Sequence, residues 1–369
     1  MIYAKSPYIV HVDDAGLVSI EFKISCYVGT TPADRATGTS YEFAIDAING
    51  EVTFDVSPYI QEFLELETRA EAIDNSGNIC WVYMEIDKDT GSGLSGSYST
   101  YLGDSLATLG YTTFEEGVNY TTEPTQLITD ARAYTSYAGI NLIKGANTRL
   151  RIPVFRSLAL LGSPYRLYSF DGVNPAFIEA PSVTRTLAAN IDDQYDYISI
   201  PNGTKFLEYR DEADTDSTTY YVTEVDDCQN TPLRVFFINR YGFIDEIQFF
   251  GRTKDSYSVE SSSYKKSILS GGTYESWDRQ QTEINKRGTR RITASSGMYP
   301  EGYNEMFKQL MFSTQVWVAE NQQGVIVAGD QKPVRIIETD IEYKYSKYEK
   351  KIEYTLTFEF ANSVINDVA

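Results

Sequence analysis

From Leu233 to Gly251 the chain reads Leu-Arg-Val-Phe-Phe-Ile-Asn-Arg-Tyr-Gly-Phe-Ile-Asp-Glu-Ile-Gln-Phe-Phe-Gly, a run too rich in aromatic and β-branched residues to lie on a surface. Two apolar segments flank Arg240-Tyr241-Gly242, and Gly242 is the natural place for a positive φ. The pattern predicts a buried β-hairpin.

The surrounding sequence is dominated by period-two alternation. Val18, Ile20, Phe22, Ile24 and Cys26 share one face of a strand near the start, and Ile352, Tyr354, Leu356, Phe358 and Phe360 share one face near the end. On that reading Phe358 faces a core, while Glu353, Thr355, Thr357 and Glu359 face outward. Ile337, Ile341, Tyr343 and Tyr345 repeat the alternation, which predicts a long hairpin of Val334–Tyr345 against Ile352–Phe360, turned at Ser346-Lys347-Tyr348-Glu349. Tyr303, Met306, Phe307, Leu310 and Met311 fall on one helical stripe, the principal helix of the chain, placed to back that sheet. Asn49-Gly50 between Tyr41–Ile45 and Val52–Val56 signals a second hairpin. Ser57-Pro58 opens a short helix through Leu66, with Ser57 as its cap and Ile60, Phe63 and Leu64 inward.

Strands predicted around Arg149–Phe155, Tyr165–Phe170, Tyr197–Ile200, Phe206–Arg210 and Thr219–Val225 form a middle unit after a looser stretch. The expected fold is mainly β: an antiparallel β-sandwich domain over 1–120, a middle β domain over 121–232, and a hairpin-plus-helix assembly domain over 233–369. A long hairpin backed by one helix is also the building plan of tail-tube and baseplate ring proteins, an analogy of architecture.

Charge is unevenly spread. Residues 1–235 hold 15 Lys and Arg against 34 Asp and Glu, and residues 236–369 hold 17 against 18. The acidic first two thirds repel phosphate, so specific nucleic-acid binding is not expected there. The start lacks a signal peptide's apolar core and no apolar run is long enough for a membrane helix, so synthesis in a cytoplasm without membrane insertion is expected. Cys26, Cys80 and Cys228 form neither a disulfide framework nor a zinc spacing.

Few residues offer chemistry. His11 is the single histidine, set in a strand pattern without a nucleophile in local register. Gly93-Leu94-Ser95-Gly96-Ser97 lacks the second glycine of a nucleophile elbow. Asp87 with Asp89, and Asp211, Asp214 and Asp216, depart from calcium-loop spacing and read as solvated turn acids. No catalytic, metal or cofactor-binding residue is expected. Lys286, Arg287, Arg290 and Arg291 make the one concentrated basic run, read as a loop and a candidate assembly contact for the acidic region of a neighbouring copy.

The order and spacing of Phe237-Ile238-Asn239-Arg240-Tyr241-Gly242, Glu246–Phe250, Ser256–Lys266, Gly302-Tyr303-Asn304-Glu305, Gln315-Val316-Trp317-Val318, Lys332-Pro333-Val334 and Tyr354–Ala361 resemble a family of bacteriophage virion proteins common in phages of marine and Bacteroidetes-type hosts. The chain departs from that pattern at Phe243-Ile244-Asp245 and at Val325–Gln331. The resemblance implies a non-enzymatic structural component of the virion tail, of ring, baseplate or adaptor type, that oligomerises and holds tail fibres or receptor-binding proteins. Its implied partners are copies of itself and other tail proteins such as fibres, hub or tube. The alternative is a carbohydrate-binding or glycan-cleaving tail protein acting on the host surface.

Overall fold

The computed structural model describes residues 2–28, 35–36, 38–70, 79–119, 141–146, 150–155, 165–171, 183–187, 195–200, 202–210, 217–225, 232–319, 331–338, 342, 350–362 and 364. The chain is mainly β, as its alternation predicts.

The first part comprises β1 (Ile2–Tyr3), β2 (Ile9–Asp13), β3 (Ser19–Tyr27), β4 (Thr39–Asp46), β5 (Glu51–Asp55), helix α1 (Ser57–Ala70), β6 (Ile79–Asp89) and β7 (Ser99–Thr108). A five-stranded sheet runs β1-β7-β6-β3-β4, and β2 pairs with β5 in a separate layer. Ile20, Phe22, Ile24 and Cys26 are buried as predicted, in one core with Val10, Val12, Val52, Ile60 and Leu64. Val18 precedes the strand and is exposed.

Two local expectations need correction. Asn49 and Gly50 do turn the chain with positive φ of 58° and 86°, but β4 and β5 do not form a hairpin. Only Ile48 bridges Glu51, after which β4 stays with β3 while β5 crosses to β2. The crossing puts Phe54 over Phe22 and Phe43, with centroids 6.0 and 4.6 Å away, apolar contact that a flat hairpin would leave in water. Ser57 is the first residue of α1 and does not cap it. Its hydroxyl and N–H donate to Asp55 Oδ1 at 2.8 and 3.0 Å, and the helix continues past Leu66.

The middle part holds β8 (Asn141–Gly145), β9 (Leu150–Phe155), β10 (Tyr165–Phe170), β11 (Val183–Leu187), β12 (Tyr195–Ile200), β13 (Phe206–Arg210) and β14 (Ser217–Val225). Its sheet runs β11-β10-β13-β14-β8, and β9 pairs with β12. Lys144 is fully buried and reaches Glu224 Oε1 at 2.9 Å. That contact and a hydrogen bond from Gly203 N–H outweigh burial and hold the Glu224 carboxyl below its ordinary range.

The last part contains β15 (Leu233–Ile238), β16 (Ile244–Phe249), β17 (Thr253–Lys265), β18 (Gln281–Ser295), β19 (Tyr299–Pro300), helix α2 (Asn304–Phe312), β20 (Val316–Ala319), β21 (Gln331–Ile336), β22 (Lys351–Ile352) and β23 (Thr355–Phe360). Its seven-stranded sheet runs β16-β15-β20-β21-β23-β18-β17. α2 lays Met306, Phe307 and Leu310 on this sheet as its stripe predicts, with Phe307 edge-on to Phe249 at 6.1 Å. It is shorter than α1, so it is not the principal helix in length. β21 pairs with β23 through Val334–Ile336, while the predicted turn at 346–349 and Ile341, Tyr343 and Tyr345 lie outside the described residues. Ile337 is exposed, against its predicted inward place.

The predicted hairpin β15–β16 forms, and every residue of both strands is buried. Its two faces enter different cores. Leu233, Val235, Phe237, Ile247 and Phe249 join α2, β20, β23 and the middle strands, whereas Phe236, Ile238, Phe243 and Ile244 join the first sheet. The turn seals against the segment after β7: Thr108 Oγ1 donates to Tyr241 O at 2.7 Å, and Tyr111 N–H to Arg240 O at 2.8 Å. The backbones approach so closely that a Cβ on Gly242 would stand 2.7 Å from Gly110 N, and one on Gly110 would stand 2.6 Å from Arg240 O.

A buried charge pair lies within the hairpin. Arg234 donates from Nε and Nη2 to the two oxygens of Glu246 at 2.6 and 2.8 Å, both side chains being 1% exposed. Gln248 donates to Glu246 Oε1 at 2.9 Å and accepts Gly145 N–H at 2.8 Å, tying β16 to β8.

Gly242 has φ +87°, so Gly242→Ala combines left-handed strain with overpacking and should cost about 2–4 kcal/mol. Gly203→Ala, at φ +82° with open space around it, should cost only about 1 kcal/mol; chemical denaturation of both variants reads the difference. Glu246→Gln, which strands a buried guanidinium, should lose about 3–5 kcal/mol. Arg234→Met combined with Glu246→Leu should recover most of that loss in the same assay.

Candidate assembly surface

The basic run predicted as a loop is part of a strand. β18 pairs with β17 from Thr253↔Ala294 out to Lys265↔Gln281, with an irregularity between Glu260 and Ser262. β23 flanks β18 only along Arg291–Ser295, so beyond Arg291 the two strands leave the sheet as a ribbon. Gly271 and Gly272, at φ +60° and +82°, turn its tip between Ser270 and Thr273, which exchange backbone hydrogen bonds at 2.9 and 3.2 Å. Gly-Gly between two strands is a hairpin signal readable in the sequence.

Most of this arm is exposed; Gly288 is buried, its carbonyl accepting Val364 N–H at 2.9 Å. Tyr257, Val259, Tyr264 and Ile284 stand in solvent along it, and Leu269, Tyr274 and Trp277 cluster in sequence near the tip, where Trp277 is 77% exposed. The part of β17 beyond Arg291, from Tyr257 to Lys265, spans about 30 Å at about 3.3 Å per residue. A two-stranded ribbon with so little cover is marginal in water, and exposed apolar side chains of this size commonly mark an interaction site.

The four candidate contacts do not form one basic patch. Lys286 pairs with Glu283 on its own strand, and Arg287 stands opposite Glu260 across the ribbon. Arg290 makes a bidentate pair with Asp255 at 3.1 and 2.9 Å and lies over the Phe360 ring at 4.5 Å. It also lines a cleft of about 520 Å³ with Leu233, Thr253, Asp255, Ile292, Val318 and Ala319. Arg291 reaches the opposite face, where its Nε donates to Glu359 Oε2 at 2.7 Å. Three of the four cations, Lys286, Arg290 and Arg291, are thus engaged within the chain by carboxylates.

Glu359 corrects the facing predicted for the last strand. It does point away from buried Phe358, yet it is itself buried, clamped between Arg291 and Arg335, whose Nε donates to Oε1 at 2.6 Å. Burial pushes its pKa up, but hydrogen bonds from the two guanidinium groups outweigh that and hold the carboxyl below its ordinary value.

The acidic bias of the first part gathers on the outer face of its sheet. Lys23 sits directly across from Glu42 and Glu85, and Glu21 from Asp87. Burial and a hydrogen bond with Glu21 push Tyr98 up to about 12. Asp87 is buried, not a solvated turn acid. Its oxygens accept Ser95 Oγ at 2.8 Å and Gly96 N–H at 2.7 Å, while Asp89 accepts Gly91 and Gly93 N–H, so the Gly93–Ser97 segment is a loop built around carboxylates. Asp211, Asp214, Asp216 and Cys228 lie outside the described residues.

His11 is exposed on β2 with Thr53 Oγ1 at 2.9 Å, and Cys26 is buried in the core. Among the described residues, no group of three or more His, Cys, Asp and Glu side chains converges on a metal position, and no helix is long and apolar enough to cross a membrane.

Glu359→Lys places a third cation between two arginines that are themselves partly exposed and should lose about 1–3 kcal/mol, less than Phe358→Asp. A smaller drop in unfolding midpoint for Glu359→Lys than for Phe358→Asp checks this. The depressed pKa of Glu359 also sets a pH dependence. Its stabilisation is present above the ordinary carboxylate value of 4.5 and fades as pH falls through the lower folded value. Glu359→Gln should therefore flatten the acid limb of a stability–pH curve.

No protein-family model matches this sequence, and no curated protein matches it.

Proposed function

We propose that this protein is a non-enzymatic structural component of a phage virion tail, a ring, baseplate or adaptor protein that oligomerises and holds tail fibres or receptor-binding proteins. The observation that carries this reading is the β17–β18 arm, a long and largely solvated ribbon with exposed apolar residues along it and near its tip. Such an arm gains stability by lying on a neighbour, which is the behaviour of an assembling subunit. The resemblance of residues 237–361 to phage virion proteins and the mainly β architecture support the same reading. The test is to image purified tails and count the chain: a fixed multiple of the ring symmetry is expected, and its absence from particles would remove the proposal.

A second reading has its own observation. Tyr274 and Trp277 are exposed beside Glu275 and Asp278 near the arm's tip, and aromatic faces flanked by carboxylates suit sugar rings. Binding or cleavage of host surface glycan by the isolated chain, lost on Trp277→Ala, would favour it.

A further inference from the structure

Each terminal sheet ends on a strand with one open side. Among the described residues β4 pairs only with β3, and β17 only with β18. The outward N–H and C=O groups of such an edge are a template for another strand. Proteins that remain monomeric blunt their edges with short strands, Pro or bulges. β17 is 13 residues long without Pro, and its pairing is regular from Thr253 to Glu260. β4 is 8 residues long, also without Pro and regular throughout.

The two edges complement one another. If β17 lies antiparallel to β4 of a neighbouring copy with Lys254 opposite Asp46, then Ser256 meets Ala44, Tyr257 meets Phe43, and Val259 meets Tyr41. Opposite residues share a face in an antiparallel pair, so the apolar side chains come together. Phe43 and Tyr41 form the rim of a cluster with Phe54 and Tyr59, at centroid separations of 4.6 Å for Phe43–Phe54 and 5.3 Å for Tyr41–Tyr59. Tyr257 and Val259, now 60% and 65% exposed, would extend that cluster. The Lys254–Asp46 pair adds opposite charges directly across the strands. Self-pairing serves less well: β4 on β4 brings Glu42 and Asp46 against the same acids, and β17 on β17 closes a two-fold dimer while both β4 edges stay open.

We propose that β17 of one copy adds to β4 of the next, joining the seven-stranded sheet of one subunit to the five-stranded sheet of its neighbour. The contact is head-to-tail, so it generates a closed ring if the rotation closes. This inference rests on the ring-forming reading above and names the surface that would make the ring.

The test uses full-length chains carrying either Ser256→Cys or Ala44→Cys, with the wild-type chain as control for its own cysteines. Under mild oxidation a mixture of the two should crosslink, and neither variant alone should. Sedimentation velocity should show association weakened roughly tenfold by Lys254→Glu and restored by adding Asp46→Lys. Crosslinking of the Ser256→Cys chain with itself, or unchanged association of Lys254→Glu, would overturn the proposal. Rings without the mixed crosslink would overturn this contact and leave the ring reading standing. The mixed crosslink in open filaments would support the contact and remove the ring, and a monomer at every concentration with no crosslink would remove both.

Discussion

A guanidinium and a carboxylate shut away from water in the middle of a hairpin are tolerable only in one arrangement. Desolvating Arg234 and Glu246 costs several kcal/mol for each ion, and only a bidentate contact with the remaining lone pairs satisfied offsets it. The hairpin provides this through its register, which sets Arg234 across from Gln248 and Phe236 across from Glu246. A slip by one residue would carry the charges to the face that packs against α2 and leave Leu233, Val235 and Phe237 on the other side. The pair therefore selects one alignment of the strand that both cores share. Gln248 extends that selection to the middle sheet through Gly145.

The same hairpin explains why the first and last parts of the chain are not independent bodies. Its turn is held by contacts of several kinds at once. Asn239 Oδ1 accepts the N–H groups of Tyr241 and Phe243 at 3.0 Å, Gln309 of α2 accepts Arg240 N–H at 3.0 Å, and Arg240 reaches Glu116 at 2.6 Å. Between these sit two glycines whose missing side chains permit the backbones to touch. Unfolding either core exposes one face of the hairpin, so a perturbation at the Gly110–Gly242 contact is felt on both sides.

The sequence makes the fold class legible because alternation in β3, β15 and β23 is strong, and because the stripe of α2 has no competing period. What it conceals is which strands meet. Asn49-Gly50 has every sign of a hairpin, but the signal is local, and the decision to cross layers rests on Phe54 reaching Phe22 and Phe43 from far along the chain. Glu359 misleads for a similar reason. Alternation gives its face correctly, yet not the two arginines that cover it, which come from strands 68 and 24 residues away. The arm was hidden by composition, since Lys286-Arg287-Gly288-Thr289-Arg290-Arg291 looks like a solvated loop until Asp255, Glu359 and Glu283 supply the counter-charges across and along strands.

The parallel pairing of β1 with β7, Ile2 with Ala107 and Tyr3 with Thr108, carries a consequence for biosynthesis. A ribosome releases the chain from its first residues onward, and the first sheet gains its closing strand only after β7 has emerged. Its core still lacks Phe236, Ile238, Phe243 and Ile244 until the hairpin arrives. For much of translation the growing chain thus holds a nearly finished sheet with an apolar face bare. At about 5–20 residues per second that interval lasts roughly 7–30 seconds, which makes the nascent chain a client for chaperones well before any neighbouring subunit is present.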